Sequence, residues 1–192
     1  MIFSCGKNKE SKNEAEIINK YKDLKYALMQ AKKTVGDYLQ FAYSGKFKDS
    51  AGIEVIAGSE LSKSNEIGIK FYLLRINGNI LEKSYQTKLL NGSFQHSIIQ
   101  KIKFPWFNYE LLYYNSQDYF MGSSGGEIIS YIINFNSKEI YYAHLVVQNN
   151  MPVSLYLSPN IKMVQLRKFF IGNFKRDFPK LVLINNDINI NN

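Results

Sequence analysis

Glu66-Ile67-Gly68-Ile69-Lys70-Phe71-Tyr72-Leu73-Leu74-Arg75-Ile76-Asn77-Gly78-Asn79-Ile80-Leu81 is the stretch on which the fold turns. Up to Ile76 it is rich in β-branched and aromatic residues in loose apolar and polar alternation, and such side chains suit the pleated surface of a strand. Asn77-Gly78 then interrupts it, and Asn-Gly between apolar runs is the strongest short-range hairpin signal. The reading is an antiparallel pair, Glu66–Ile76 against Ile80–Leu90.

Outward from this hairpin the same signals recur. Tyr109–Tyr114, Tyr119–Met121, Glu127–Phe135, Ile140–Gln148 and Val153–Leu157 read as successive strands. Turn-forming clusters separate them at Asn115–Asp118, Gly122–Gly126, Asn136–Lys138 and Asn149–Pro152. Connections this short join antiparallel neighbours. Phe94–Lys103 suits a short helix or a further strand, and upstream Ile53–Ala57 is a short strand between glycines. Ser158-Pro159 has the form of an N-cap with proline at the first helical position, which predicts a helix from Ile161 to about Phe174. Pro179 ends it, and Leu181–Ile184 is a last strand.

Before the first strand, Ile17, Tyr21, Leu24, Leu28, Ala31, Val35, Tyr38 and Ala42 alternate in steps of four and three. That spacing is one stripe of an amphipathic helix over Glu14–Ala42. The fold class is therefore α+β: an N-terminal amphipathic helix, an antiparallel meander of about seven strands, and a basic helix near the C-terminus. One domain is expected over residues 14–184, with a polar tether before it and an Asn-rich tail over 185–192 that does not fold.

The 28 aromatics among 192 residues and an apolar share of 45% give enough surface to bury against the entropy of the chain. No apolar run reaches the ~18 residues of a membrane span. One cysteine excludes an internal disulfide, and two histidines leave little for a zinc site, so neither a metal nor another cofactor is expected. The net charge of +8 is uneven. Residues 1–50 carry ten lysines against six acids and residues 151–192 six bases against two, while the middle is neutral. Basic ends of this kind favour anionic partners, either a membrane surface or nucleic acid.

At the N-terminus, Ile2-Phe3-Ser4-Cys5-Gly6 precedes the polar run Lys7–Asn13. Ile2-Phe3-Ser4-Cys5 resembles the lipobox of bacterial lipoproteins, in which an aliphatic residue stands three before the cysteine and a small residue directly before it. The basic start and apolar run of about 7–15 residues that lead into such a site do not stand before Ile2 in this sequence. The resemblance implies that the Cys5 thiol is diacylglycerated after cleavage of a signal peptide. It also implies that Gly6–Asn13 is a flexible tether and that the protein sits in the cell envelope, anchored to a membrane. Several acyl chains, at ~0.8 kcal/mol per buried CH₂, hold where one does not.

Four groups of residues are candidates for a site. Phe104-Pro105-Trp106-Phe107-Asn108-Tyr109 is the densest aromatic stretch, flanked by Lys101 and Lys103. Phe104, Trp106, Phe107 and Tyr109 are read as partner-binding, with Trp106 as anchor, against the plainer reading of a core corner pinned by Pro105. Lys162, Lys168, Lys175 and Arg176, on the polar side of the C-terminal helix, are candidate anion contacts, against the reading of a solvated face. Gly122-Ser123-Ser124-Gly125-Gly126 fits the letters of a serine nucleophile elbow, but a strand follows where that motif needs a helix, so a flexible loop is expected. The carboxylates nearest in sequence are Glu54 with Glu60 and Glu110 with Asp118, while His96 and His144 read as partly buried structural residues.

No nucleophile, base and orienting group can be assembled from these residues, so no catalytic residue is assigned and no enzyme is expected. The first functional expectation is an envelope lipoprotein, tethered through Cys5, that binds a partner by surface contact. The second is a soluble, cytoplasmic basic module that binds nucleic acid or another acidic partner.

Overall fold

The structure is a computed structural model that describes residues 15–50, 52–63, 66–116 and 125–184. Cys5 and the tether, the strand expected at Tyr119–Met121, most of the Gly122–Gly126 loop and the Asn-rich tail lie outside these residues. The chain forms two compact units. The first takes residues up to Asn91 together with Lys103–Glu110, the second Gly92–Ile102 together with Leu111 onward.

In the first unit a short helix α1 (15–20) and α2 (Leu24–Val35) precede a four-stranded antiparallel sheet. Its strands are β1 (Leu39–Gly45), β2 (Glu54–Lys63), β3 (Glu66–Asn77) and β4 (Ile80–Gln86), neighbouring in that order. The hairpin forms one residue on from an Asn-Gly turn: Asn77 pairs with Ile80 across Gly78-Asn79, and the Gly78 φ of 57° costs a glycine little. β4 is shorter than expected, and Leu90 returns only as an isolated bridge to Ile69. Val55, Ala57, Tyr72, Leu74 and Leu81 meet Tyr21, Ala27 and Ala31 of the helical segment in one core. Ile56, Phe71 and Leu73, which alternate with these, are buried as well. Burial on both faces explains why the stretch from Ile69 to Ile76 is nearly continuous in apolar residues rather than cleanly alternating.

The long helix expected over Glu14–Ala42 is instead two helices and a strand. Asp23 breaks it in extended conformation (φ −74°, ψ 119°), and its Oδ1 accepts the Tyr26 N–H at 2.8 Å as an N-cap. Gly36, at φ 143°, stops α2. Tyr38 and Ala42 continue the four-three spacing by coincidence, for β1 buries Leu39 and Ala42 on the same core.

The second unit is a six-stranded sheet in the order β10-β9-β8-β7-β6-β5. Its elements are β5 (Ser97–Ile102), β6 (Leu111–Ser116), β7 (Gly125–Asn134), β8 (Glu139–Gln148), β9 (Ser154–Leu157), α3 (Val164–Asp177) and β10 (Val182–Ile184). β5 to β9 are antiparallel neighbours, whereas β10 lies parallel to β9, Val182 beside Ser154, because α3 supplies the crossover that a parallel pair needs. α3 starts later than its expected cap. Ser158 remains tied to β8, its N–H donating to the Tyr142 carbonyl and its Oγ accepting the Tyr142 N–H at 3.0 Å. Met163 takes the N-cap place. Leu166, Phe170 and Phe174 face inward, and the Phe169 ring meets Tyr113 edge-on at 5.2 Å.

The protein is thus α+β. Among the described residues the single meander of about seven strands is corrected to ten strands in two sheets, since short turns fix neighbours but not where one sheet stops and another begins.

Candidate functional site

The aromatic stretch belongs to the first unit and is built on a tight turn. The Phe107 N–H donates to the Phe104 carbonyl at 3.1 Å, closing a turn whose second position is Pro105, already fixed at the required φ. The rings form a row: Phe104 stacks on Trp106 at 4.8 Å and 21°, Trp106 lies 6.2 Å from Phe107, and Phe107 lies 5.0 Å from Tyr109. Phe104 and Tyr109 are buried at 9% and 8% exposure, Phe107 is half-buried, and Trp106 is 41% exposed. Phe104 and Tyr109 form a buried corner, and Trp106 is the ring that the corner exposes.

Polar groups fix the base of this row. The Glu110 N–H donates to the Lys46 carbonyl at 2.6 Å, and Glu110 Oε2 accepts the Lys46 N–H at 3.1 Å. The Asn108 amide donates to the Asp49 carboxylate. Buried Glu54 holds the same loop from below, accepting the Phe47 N–H and the Ser50 hydroxyl, each at 2.9 Å. A side chain at Gly45 would run into the Glu110 carboxylate and push it from its place. Glu54 and Glu110, singled out as carboxylates, are therefore joined to backbone and hydroxyl donors of one loop. The arrangement offers a flat amphipathic ring on a rigid base, suited to stacking or to filling an apolar recess of a partner.

In the second unit, Lys168 and Lys175 stand seven residues apart on the exposed side of α3, with the open Gly172 between them. Lys162 lies in the turn before the helix. Arg176 is exposed, and its Nε donates to Asp177 at 3.3 Å. The fold thus joins two of the four candidate cations in a line. Lys175 and Arg176, in the last turn, also offset the helix dipole.

His144 Nε2 and Glu127 Oε2 are within hydrogen-bond distance, 2.9 Å, across β7 and β8, with the Tyr156 ring 6.1 Å from the imidazole. His96, expected to be partly buried, is exposed in a left-handed turn at φ 53°, a conformation that the loop before β5 requires. Gly125 and Gly126 open strand β7, where a nucleophile elbow requires a helix. Among the described residues no three His, Cys, Asp or Glu side chains gather as a metal site, and no helix is long and apolar enough to cross a membrane.

One feature escaped the sequence reading. On the outward side of α2 a cavity of about 450 Å³ is lined, among the described residues, by Lys25, Leu28, Met29, Lys32, Lys33 and Asp37. Met29 is 47% exposed there. The available signal was Met29 set among Lys25, Lys32 and Lys33 on the side of the helix away from Ala27 and Ala31. In the core of this unit, burial first and the neighbouring Tyr26 second raise the Tyr21 phenol above its ordinary 10.0. The chain matches no family model, no curated protein and no solved structure.

Proposed function

We propose that the protein is a lipid-anchored module of a bacterial cell envelope, held by an acylated Cys5, that works by binding a partner rather than by catalysis. The observation that carries this reading is Ile2-Phe3-Ser4-Cys5-Gly6, with the chain's single thiol in a lipobox-like setting ten residues before α1. The polar run Lys7–Asn13 between them has the composition of a tether. Trp106 supports the binding part: its ring is exposed, yet its backbone is fixed by the Phe104–Phe107 turn, so little freedom remains to be lost when a partner covers it.

The test is the intact mass of the protein purified from its own membranes, with Cys5→Ala as control. A chain beginning at Cys5 and carrying a diacylglyceryl group is expected, as is release of Cys5→Ala into the soluble fraction with an unchanged circular dichroism spectrum. An unmodified chain beginning at Met1 overturns the reading. A second reading, a soluble module for nucleic acid or another acidic partner, is favoured by the Lys168 and Lys175 line on α3. It requires binding that weakens steeply with salt and is lost in Lys168→Gln/Lys175→Gln/Arg176→Gln.

A further inference from the structure

We infer that the outward side of α2 is a contact surface for an anionic lipid bilayer, an inference that rests on the tethered reading and adds a lipid-facing side to the first unit. Three observations meet there. Lys25, Lys32 and Lys33 stand around the cavity with one carboxylate, Asp37, on its lining, so the surface is net positive. Met29 projects among these lysines at 47% exposure, and Leu24, at the start of the same helix, is 54% exposed. A lipid-surface helix combines the same two elements, apolar side chains that enter the headgroup boundary and lysines that meet its phosphates. The third observation is reach. Whatever its conformation, the ten-residue segment from Cys5 to α1 spans at most about 35 Å. An acylated Cys5 therefore keeps α1 and α2 close to the bilayer.

A protein partner is a poorer fit to these side chains. Flexible, strongly hydrated lysines are depleted at the centres of protein interfaces, whereas each near an anionic bilayer strengthens partition about fivefold. α3 is the weaker match, since its one exposed apolar side chain beside Lys168 is the short Val164, and Gly172 between Lys168 and Lys175 has no side chain to insert.

The experiment uses the 192-residue chain with Cys5→Ser, so that no acyl chain takes part, in co-sedimentation with vesicles. Binding is expected to vesicles of equal parts phosphatidylcholine and phosphatidylglycerol, and not to phosphatidylcholine alone. Lys25→Gln/Lys32→Gln/Lys33→Gln lowers the partition coefficient about a hundredfold. Met29→Ser weakens binding while leaving its salt dependence unchanged, because the contact removed is apolar. Lys168→Gln/Lys175→Gln binds as the parent does. Vesicle binding that survives the α2 triple substitution, that is equal on the neutral lipid, or that is lost through the α3 pair instead overturns the inference, as does preference for duplex DNA over the anionic vesicles. Intact mass judges the acyl tether independently, so an unmodified Cys5 with vesicle binding, or the reverse, shows which of the two ideas has failed.

Discussion

The two units each cover a sheet with a helix, but they do it with opposite residues. α2 turns Ala27 and Ala31 inward, and its backbone comes within 8 Å of β1, β4 and β2. α3 turns Leu166, Phe170 and Phe174 inward, with Phe169 against Tyr113 and Asn173 reaching the Tyr113 hydroxyl at 3.4 Å. Small side chains bring a helix close and leave no room to spare. Large ones hold it further off and supply the buried area themselves. The comparison teaches where each unit is vulnerable: the first to side chains that are too large, the second to side chains that are missing.

The sharpest way to break this contrast is Phe170→Ala. It leaves a cavity under α3 and is expected to cost about 3–5 kcal/mol, read from urea unfolding. The reciprocal change, Ala31→Leu under α2, is expected to cost about 1–3 kcal/mol through overpacking rather than loss of area. Equal sensitivity of both sites to enlargement would dissolve the distinction. Glu110→Ala is expected to destabilise the first unit by about 1–3 kcal/mol, since it leaves the Lys46 N–H without its acceptor, and to free Trp106, seen as a red shift of its fluorescence. The smallest effect concerns pH. The folded state holds the Tyr21 proton more tightly than the unfolded chain does, so this contribution is present below the ordinary phenol value of 10.0 and is lost as pH rises through the raised one. Urea midpoints should fall as pH rises past the ordinary phenol value of 10.0, and less steeply in Tyr21→Phe.

What the sequence disclosed follows the reach of each signal. The Asn77-Gly78 hairpin and the strands β7 and β8 were readable because alternation and turn chemistry are local. The break at Asp23 was not, because the apolar spacing runs through it and only a side-chain cap, weak in competition with periodicity, marks the stop. The division into two sheets depends on pairings that are not made, and no local pattern records those. At the aromatic stretch, residue types pointed to Phe104–Tyr109, but which ring is base and which is presented depends on Lys46, Asp49 and Glu54, distant in sequence. The surface of α2 was passed over because a periodicity argument attends to the stripe that is buried.

The placement of Lys103–Glu110 also bears on how the protein is made. A ribosome delivers residues in order, so the first unit, although its last strand ends at Gln86, cannot be completed until Glu110 has left the exit tunnel. β5 emerges before that moment, while its partner β6 is still to come. It is therefore the segment of this sheet that waits unpaired, and in the finished sheet it remains at the edge. Its composition suits both conditions: Gln100 and Lys101 interrupt the apolar run Ile98-Ile99, and charged or polar groups on an unpaired strand discourage another nascent chain from pairing with it.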